Sequence, residues 1–349
     1  MAHDELAEHL SPANVSRLRQ LLTPHVRRTP LLRCRMDLDA RGQGEVSLKC
    51  ENLQRTGSFK LRGALGALLG YRHHRPGVWR RIEQDGIVTG STGNFAQGLA
   101  YATALLGLRC TIVVPSSAAP YKLEQVARYN PEATLLQVPY ARWRETMVTG
   151  SFPGLPGYFL ASETDAFVSL GNATLALEIL EELPEVDALL VPFGGGNLAY
   201  SLASLVRQLK AGVRVYAVEV ASGAPLSASL QRGQPVEVAY RGSFVDGIGS
   251  SFVIPAQFHR LKELLSGALT VTPEQIAEAV SFLALSEKLI AEGAGAAALA
   301  AARQYSGVYG WKNPCCIVSG GVIHPETLAS VLRTPTAPNV SGRVVAPAA

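Results

Sequence analysis

Residues 188–197 read ALLVPFGGGN and join an apolar run to a glycine turn. The run has the length of a buried strand, and residues 198–210 after the turn show the apolar spacing of a helix. Consecutive glycines let backbone N–H groups converge, and the start of the following helix adds partial positive charge. The stretch therefore predicts a strand–turn–helix unit that binds an anion such as a phosphate, with a simple tight turn as the alternative. The glycine patterns of P-loops and dinucleotide-binding folds are missing, which disfavours both.

The same alternation of strand and helix patterns extends along the chain. Further short apolar runs, most of them rich in β-branched residues, lie at residues 86–89, 110–114, 134–138, 213–218 and 315–318. Helical spacing separates several of them, as at residues 94–106 and 174–183. A chain of 349 residues also exceeds the size at which single cores usually stop growing. The sequence therefore predicts an α/β fold of two domains, each with an open, mostly parallel twisted sheet flanked by helices.

One helix start is specified by its capping residues. Thr272 has the character of an N-cap, Pro273 follows at the first helical position, and Gln275 completes a capping box. A helix is therefore predicted from Pro273 onward.

The composition disfavours several classes of partner. Hydrophobic residues make up 47% of the chain and charged residues 17%, which is typical of a globular protein. The net charge of +4 is not gathered in a basic block, so nucleic acid is not an expected partner. The most apolar stretch, residues 289–302, is too short to span a bilayer and contains Glu292. It is predicted to be a packed, alanine-rich helix, and no membrane partner is expected.

The cysteines and the termini indicate a cytoplasmic protein. The five cysteines are odd in number and show no C-x-x-C spacing, so neither a disulfide framework nor a zinc site is predicted. The first ten residues carry acids and no apolar segment, unlike a signal peptide. Residues 334–349 are rich in proline, alanine and valine, and we expect a flexible tail there.

Lys60 is the strongest candidate nucleophile. It follows a polar turn and begins an apolar helix pattern. A lysine at a helix N-terminus feels the positive end of the helix dipole, which lowers its pKa and favours the amine that attacks a carbonyl. An ordinary solvated lysine is the alternative.

Two more turns follow predicted strands: Ser91-Thr92-Gly93-Asn94-Phe95 and Ser319-Gly320-Gly321. They place polar groups at the carboxyl edge of a sheet, where α/β proteins bind ligands.

Residues 56–64, TGSFKLRGA, resemble the cofactor-lysine motif of the serine/threonine dehydratases, which are fold-type-II pyridoxal-phosphate enzymes of the tryptophan synthase β-like superfamily. Other segments resemble this family in the same order: residues 26–31 (VRRTPL), 91–98 (STGNFAQG), 194–198 (GGGNL), 292–296 (EGAGA) and 319–321 (SGG). The resemblance covers roughly residues 20 to 330. It implies two α/β domains with pyridoxal phosphate in the cleft between them.

The resemblance also implies roles for cofactor-binding residues. Lys60 would hold pyridoxal phosphate as a Schiff base and later move a proton at the substrate Cα. Phe59 would lie near the pyridine ring, Asn94 would bind the 3-hydroxyl, and Ser319 would face the ring nitrogen. The phosphate would be bound by consecutive residues: Gly194, Gly195, Gly196, Asn197 and Leu198. Because a serine hydroxyl cannot protonate the ring nitrogen as a carboxylic acid can, the ring would be a weaker electron sink, which favours β-elimination over transamination.

The substrate would bind at the turn that follows the strand near residue 88. By resemblance, Ser91, Thr92, Gly93 and Phe95 form the substrate loop, whose backbone would hold the carboxylate. Thr92 stands where racemases of the family carry a second proton-transfer serine, so it is a candidate catalytic residue, with carboxylate binding as the alternative. Glu292 is either a packed acid satisfied by backbone N–H groups or part of the wall of the active site.

The sequence departs from the family pattern at several positions. Phe95 replaces the histidine of the substrate loop, and Asn197 replaces the fourth glycine of the phosphate loop. Val322 replaces an asparagine. Glu219 remains where many members have an acidic metal cluster, but Pro225 replaces the expected aspartate, so no metal is expected.

The predicted function is a lyase that eliminates water from a serine- or threonine-like amino acid and releases a 2-oxo acid and ammonia. The alternatives are β-replacement, amino-acid racemisation and a protein that binds pyridoxal phosphate without turnover. A larger cofactor-binding domain is expected at residues 1–61 and 161–333, and a smaller substrate-loop domain at residues 62–160. The resemblance further implies a homodimer.

Overall fold

The computed structural model describes residues 10–37 and 44–333, so the predicted tail at residues 334–349 lies outside the described residues. Ten strands form two sheets within that part of the chain. They are β1 (Leu31–Asp37), β2 (Glu45–Lys49), β3 (Ile87–Gly90), β4 (Cys110–Pro115), β5 (Thr134–Val138), β6 (Tyr158–Phe159), β7 (Ala188–Pro192), β8 (Arg214–Val220), β9 (Gly267–Val271) and β10 (Pro314–Ile317).

Helices alternate with these strands along the described chain. They are α1 (Pro12–Leu22), α2 (Lys60–His74), α3 (Pro76–Asp85), α4 (Asn94–Leu106), α5 (Pro120–Tyr129), α6 (Tyr140–Thr149), α7 (Ala166–Glu182), α8 (Asn197–Leu209), α9 (Pro225–Arg232), α10 (Pro255–Leu261), α11 (Pro273–Phe282), α12 (Gly293–Tyr309) and α13 (Pro325–Arg333). A short 3-10 helix (Glu51–Leu53) and a π-helical turn (Leu283–Glu287) complete the described elements.

Both sheets are built mainly from parallel pairs. The six-stranded sheet has the order β1-β2-β10-β7-β8-β9, and the four-stranded sheet has the order β5-β4-β3-β6. The β1–β2 pair is antiparallel, and every other strand pair of the two sheets is parallel. Central strands such as β7 and β3 are buried at every position, as expected for a sheet covered on both faces. The predicted α/β class with mostly parallel sheets is confirmed.

Local signals located most of the elements that they predicted to within two residues, but α7 begins at Ala166, eight residues before the helical pattern at residues 174–183. The helix predicted at residues 94–106 is α4, and the capping box of α11 forms as predicted from Thr272 and Gln275. The helix predicted over residues 289–302 is wrong at its start, because α12 begins at Gly293. Glu292 is its extended N-cap, with its N–H bonded to Gly320 O at 3.1 Å. A pairing with a distant segment therefore overrides the apolar periodicity there.

Close packing of α2 on α7 fixes the helix that begins with Lys60. A Cβ on Gly171 of α7 would lie 2.1 Å from the backbone oxygen of Arg62, so the two helices approach at a distance that glycine alone permits. The Arg62 guanidinium is buried and bonds Glu51 at 2.8 Å and Glu178 at 2.6 Å. These contacts hold the first turn of α2 against both the 3-10 helix that follows β2 and α7.

Candidate active site

A cavity of about 230 Å³ lies where the strand-ending turns of the two sheets meet. All of the residues that the sequence assigned to a catalytic, cofactor or substrate role line it: Phe59, Lys60, Ser91, Thr92, Gly93, Asn94, Phe95, Gly194, Gly195, Gly196, Asn197, Leu198 and Ser319. The turns are far apart in sequence. Those after β7 and β10 share one edge of the six-stranded sheet, and the turn after β3 comes from the four-stranded sheet. The structure thus brings the predicted site residues together, and their individual roles stay predictions.

Lys60 is the first residue of α2 and lies at the centre of this cavity wall. Its Nζ is 5.1 Å from the ring centre of Phe59 and 5.9 Å from that of Phe95. Burial lowers the pKa of the Lys60 ammonium, and the carboxylates of Glu163 and Glu292 partly oppose the shift. The direction agrees with the prediction, and burial is the main cause of the shift. A buried lysine with a lowered pKa is suited to condense with a carbonyl.

The glycine turn after β7 is shaped by what surrounds it. Gly196 has a φ of +88°, a conformation that residues with a Cβ rarely adopt. A Cβ on Gly195 would lie 2.4 Å from Cγ of Glu163, and one on Gly194 would lie 3.0 Å from the oxygen of Gly247. The glycines therefore leave a bare backbone facing the cavity at the N-terminus of α8, which is the geometry that binds phosphate.

Asn197 is turned into the protein, although its backbone belongs to this turn. Its Nδ2 donates to the backbone oxygens of Ser162 and Glu163 at 3.1 and 3.2 Å and to Ser169 Oγ at 3.0 Å. Its Oδ1 accepts from Asn172 Nδ2 at 2.9 Å. The backbone N–H is therefore what Asn197 can offer a phosphate.

The turn before α4 presents a second uncapped helix N-terminus. Gly93 is the N-cap and has no side chain, and its N–H donates to Ser91 Oγ at 3.3 Å. The positive end of α4 is thus left open to a carboxylate. Asn94 Nδ2 donates to Glu292 Oε1 at 2.8 Å. Phe95 is 2% exposed and adds an apolar wall.

Glu292 belongs to the cavity wall, which decides between the two alternatives that the sequence left open. Burial, together with the nearby Asp246, raises the pKa of its carboxyl to about 8, although the hydrogen bond from Asn94 opposes the shift. The Glu292 carboxyl is therefore mostly protonated at neutral pH.

Several residues of the cavity carried no signal in the sequence. They are Tyr121, Lys122, Trp143, Met147, Glu163, Asp246, Gly247 and Ile248, whereas Gln97, Pro192, Ala294 and Val322 lie in or beside the quoted segments but were assigned no role. Lys122 on α5 and Asp246 form an ion pair of 2.5 Å that links the two sides of the cavity mouth. Neither residue stands in a recognisable motif, so sequence periodicity alone could not have found the pair.

Glu219 is fully engaged in protein contacts. Its carboxylate accepts from the N–H groups of Leu226 and Ser227 at 2.8 and 2.7 Å and from Ser227 Oγ at 2.6 Å. Across residues 10–37 and 44–333, no three His, Cys, Asp or Glu side chains are grouped as metal ligands.

The donor set fits pyridoxal phosphate. The buried Lys60 amine suits its carbonyl, and the bare glycine turn before α8 suits its phosphate. Ser319 lines the cavity at 4% exposure, and its hydroxyl has no hydrogen-bond partner among the described residues, so it is free to meet a ring nitrogen. The Phe59 N–H donates to Ser319 O at 3.0 Å, which couples the lysine turn to the serine turn.

Comparison with known proteins identifies the class. The profile described as "Pyridoxal-phosphate dependent enzyme" matches residues 22–320. The L-threonine ammonia-lyase of Geobacter sulfurreducens is 34% identical over 313 residues, which are 89% of this chain and 75% of that protein. The L-threo-3-hydroxyaspartate ammonia-lyase of a Pseudomonas species is 32% identical over 307 residues, 88% of this chain and 93% of that protein.

Solved structures with the same fold include a pyridoxal 5'-phosphate-dependent aspartate racemase, with a TM-score of 0.80 and 27% identity over 90% of this chain and 96% of that one. The serine racemase of Dictyostelium discoideum has a TM-score of 0.78 and 27% identity over 89% of this chain and 97% of that one. A solved threonine deaminase has a TM-score of 0.75 and 29% identity over 90% of this chain and 99% of that one. The chain belongs to the pyridoxal-phosphate-dependent enzyme family, and within it to the serine/threonine dehydratases of fold type II. Pyridoxal phosphate is its cofactor.

Proposed function

We propose that this protein is a pyridoxal-phosphate-dependent ammonia-lyase. It removes water from a serine- or threonine-like amino acid and releases ammonia and a 2-oxo acid. The observation that carries the proposal is the buried Lys60 amine, placed in one cavity with a bare glycine turn and an uncapped helix N-terminus. Relatives named L-threonine ammonia-lyase support the elimination reaction.

When bound, pyridoxal phosphate supplies a carbonyl carbon that joins an amino group and a ring that withdraws electrons from Cα. Lys60 would hold the cofactor, and its amine would take the proton from the substrate Cα. Its low pKa favours the unprotonated amine that this step needs. The N–H groups of Ser91, Thr92 and Phe95, at the start of α4, hold the substrate carboxylate.

The remaining residues orient the cofactor. The backbone N–H groups of Gly194, Gly195, Gly196, Asn197 and Leu198 bind its phosphate. Asn94 binds the 3-hydroxyl, Phe59 flanks the ring, and Ser319 accepts or donates at the ring nitrogen. A neutral hydroxyl there keeps the ring a moderate electron sink, which favours rapid loss of a β-substituent.

The central assignment is tested by trapping the cofactor. Borohydride treatment of the yellow holoenzyme should fix the cofactor covalently to Lys60, and mass spectrometry of the digested protein locates it. Lys60→Ala should lose both the colour and the release of 2-oxo acid. Lys122→Ala, which removes the other lysine of the cavity, should keep the adduct on Lys60. An adduct on any other lysine would show that Lys60 is not the cofactor lysine.

Racemisation is a second candidate function. Thr92 lines the cavity, and the aspartate racemase shares the fold over 90% of this chain. A hydroxyl on the opposite side of the substrate from Lys60 could return a proton there. Chiral chromatography of the amino acid left after partial turnover distinguishes the two functions, because a dedicated lyase leaves a single enantiomer.

We further propose a larger cofactor-binding domain at residues 1–61 and 161–333 and a smaller substrate-loop domain at residues 62–160. All strands of the four-stranded sheet lie between residues 87 and 159, which supports this division. We also propose a cytoplasmic homodimer, which light scattering after size exclusion would test. Within the described residues, no helix combines the length and apolar character needed to cross a membrane.

A further inference from the structure

The charges that line the cavity are unequal in sign. Among the described residues, its acidic and basic side chains are Lys60, Lys122, Glu163, Asp246 and Glu292. Lys60 is the cofactor lysine, and Lys122 is paired with Asp246 at 2.5 Å. The described lining therefore has no further cation to pair with a carboxylate on a substrate side chain.

Glu163 and Glu292 both lack an ion-pair partner among the described residues. Glu292 accepts a hydrogen bond from Asn94, and Glu163 is held in place by contacts of its own. Its backbone oxygen accepts from Asn197 Nδ2 at 3.2 Å and from Gln257 Nε2. Ser162 Oγ donates to its Oε2 at 2.6 Å, and its side chain packs against Gly195. Asn197, which departs from the family pattern, thus positions an acid that faces the cavity.

The neighbouring arginine does not compensate for this acid. Trp143 and Met147 of α6 line the cavity, but Arg144 between them lies over the ring of Phe252 at 5.7 Å. The substrate α-carboxylate has its own site at the N-terminus of α4. A second carboxylate on the substrate would therefore meet Glu163 with no basic partner.

We propose that the cavity selects substrates by side-chain charge, with Glu163 as the specificity-determining residue. It accepts amino acids with neutral or cationic β-substituents and rejects those with a side-chain carboxylate. Like charges several ångströms apart in a partly buried site weaken binding by about ten- to fiftyfold at an effective dielectric constant near 20. This proposal specifies the substrate of the lyase proposed above. It rests on that function only in assuming that an amino acid binds in this cavity.

Glu292 adds a pH dependence to this selection. Its carboxyl is mostly neutral below a pKa of about 8 and becomes a second negative charge above it. The groups that face it are Asn94, Lys60, Lys122 and Asp246. Rejection of acidic side chains should therefore strengthen as the pH rises from 7 to 9.

Binding of two isosteric amino acids to the holoenzyme tests the proposal. L-Aspartate and L-asparagine differ in charge and hardly in shape, and the cofactor absorption band reports binding of each without turnover. We expect aspartate to bind at least tenfold more weakly than asparagine, and L-2,3-diaminopropionate to bind at least as well as asparagine. Glu163→Gln should shrink the aspartate–asparagine gap to less than threefold. Glu132→Gln, at an exposed acid remote from the cavity lining, should leave the gap unchanged.

Two results would overturn the proposal. The first is equal binding of aspartate and asparagine by the natural protein, which would mean that Lys122 exchanges Asp246 for the substrate. The second is an aspartate–asparagine difference in Glu163→Gln that is as large as in the natural protein. Should Glu163→Gln not fold, the same result in Glu163→Ser would overturn the proposal. The lyase function is tested separately. If it were wrong, no amino acid would release a 2-oxo acid, but the binding measurements would still show whether the cavity discriminates by charge.

Discussion

At the scale of single residues, Phe95 is the change in the substrate loop with the clearest consequence. It is 2% exposed, lines the cavity and lies 5.9 Å from Lys60 Nζ. Its ring donates no hydrogen bond, so threonine should be a poor substrate, about 10- to 200-fold below the best one in kcat/KM.

Phe95→His should raise kcat/KM for threonine by about tenfold, because it restores a donor at this position. Phe95→Leu changes the size without adding a donor and should not raise it. Steady-state release of 2-oxobutanoate from threonine measures both. A natural protein that already reaches about 10⁴ M⁻¹s⁻¹ with threonine would contradict the expectation.

Glu292 predicts a pH dependence of stability. The pKa of its carboxyl is about 8 in the folded protein against an ordinary 4.5, so above pH 4.5 the folded state binds more protons than the unfolded one. The free energy of unfolding should therefore fall as the pH rises through this window, by an amount on the order of a few kcal/mol. Glu292→Gln should flatten this fall. Urea unfolding of both apoproteins at pH 5.5 and pH 8 measures the change in the free energy of unfolding. If Glu292→Gln lost as much stability between these pH values as the natural protein, other groups would cause the pH dependence.

At the scale of elements, the contact between α2 and α7 positions the cofactor lysine. Gly171→Ala would place a Cβ 2.1 Å from the backbone oxygen of Arg62, and a backbone atom cannot move aside as a flexible side chain can. We expect a loss of at least about 1–3 kcal/mol in the free energy of unfolding, together with slower trapping of the cofactor by borohydride.

Gly77→Ala is the matched control for that change. Gly77 lies in α3, and a Cβ there meets no atom within 4 Å, so the substitution should be neutral or stabilising. Urea unfolding monitored by circular dichroism compares the two variants. Equal stability of both would show that α2 and α7 can separate without cost.

At the scale of the whole molecule, the cavity joins turns from both sheets, so the cofactor should stabilise the fold. A ligand at one hundred times its Kd adds about 2.7 kcal/mol to the free energy of unfolding. Pyridoxal phosphate should raise the Tm of the apoprotein, and pyridoxal, which lacks the phosphate, should raise it much less. Thermal unfolding with each ligand measures this, and equal shifts would mean that the glycine turn after β7 does not bind the phosphate.

The sequence alone determined the strand–turn–helix units, the start of α2 at Lys60 and the capping box at Thr272. These features depend on periodicity, turn residues and caps within a few positions of each other, so a local pattern carries them. The convergence of the turns after β7 and β10 also followed, because the carboxyl ends of parallel strands share one edge of a sheet. The turn after β3 belongs to the other sheet, and only the packing of the two sheets brings it to the same cavity.

Only the tertiary structure decided which acids reach the cavity. Glu163 is held by Asn197, 34 positions along the chain, and Glu292 is placed by its pairing with Gly320, which also shortens α12. The low pKa of Lys60 has the same origin, since burial is its main cause. Contacts of this kind depend on how separate segments pack, and no local pattern in either segment encodes its partner.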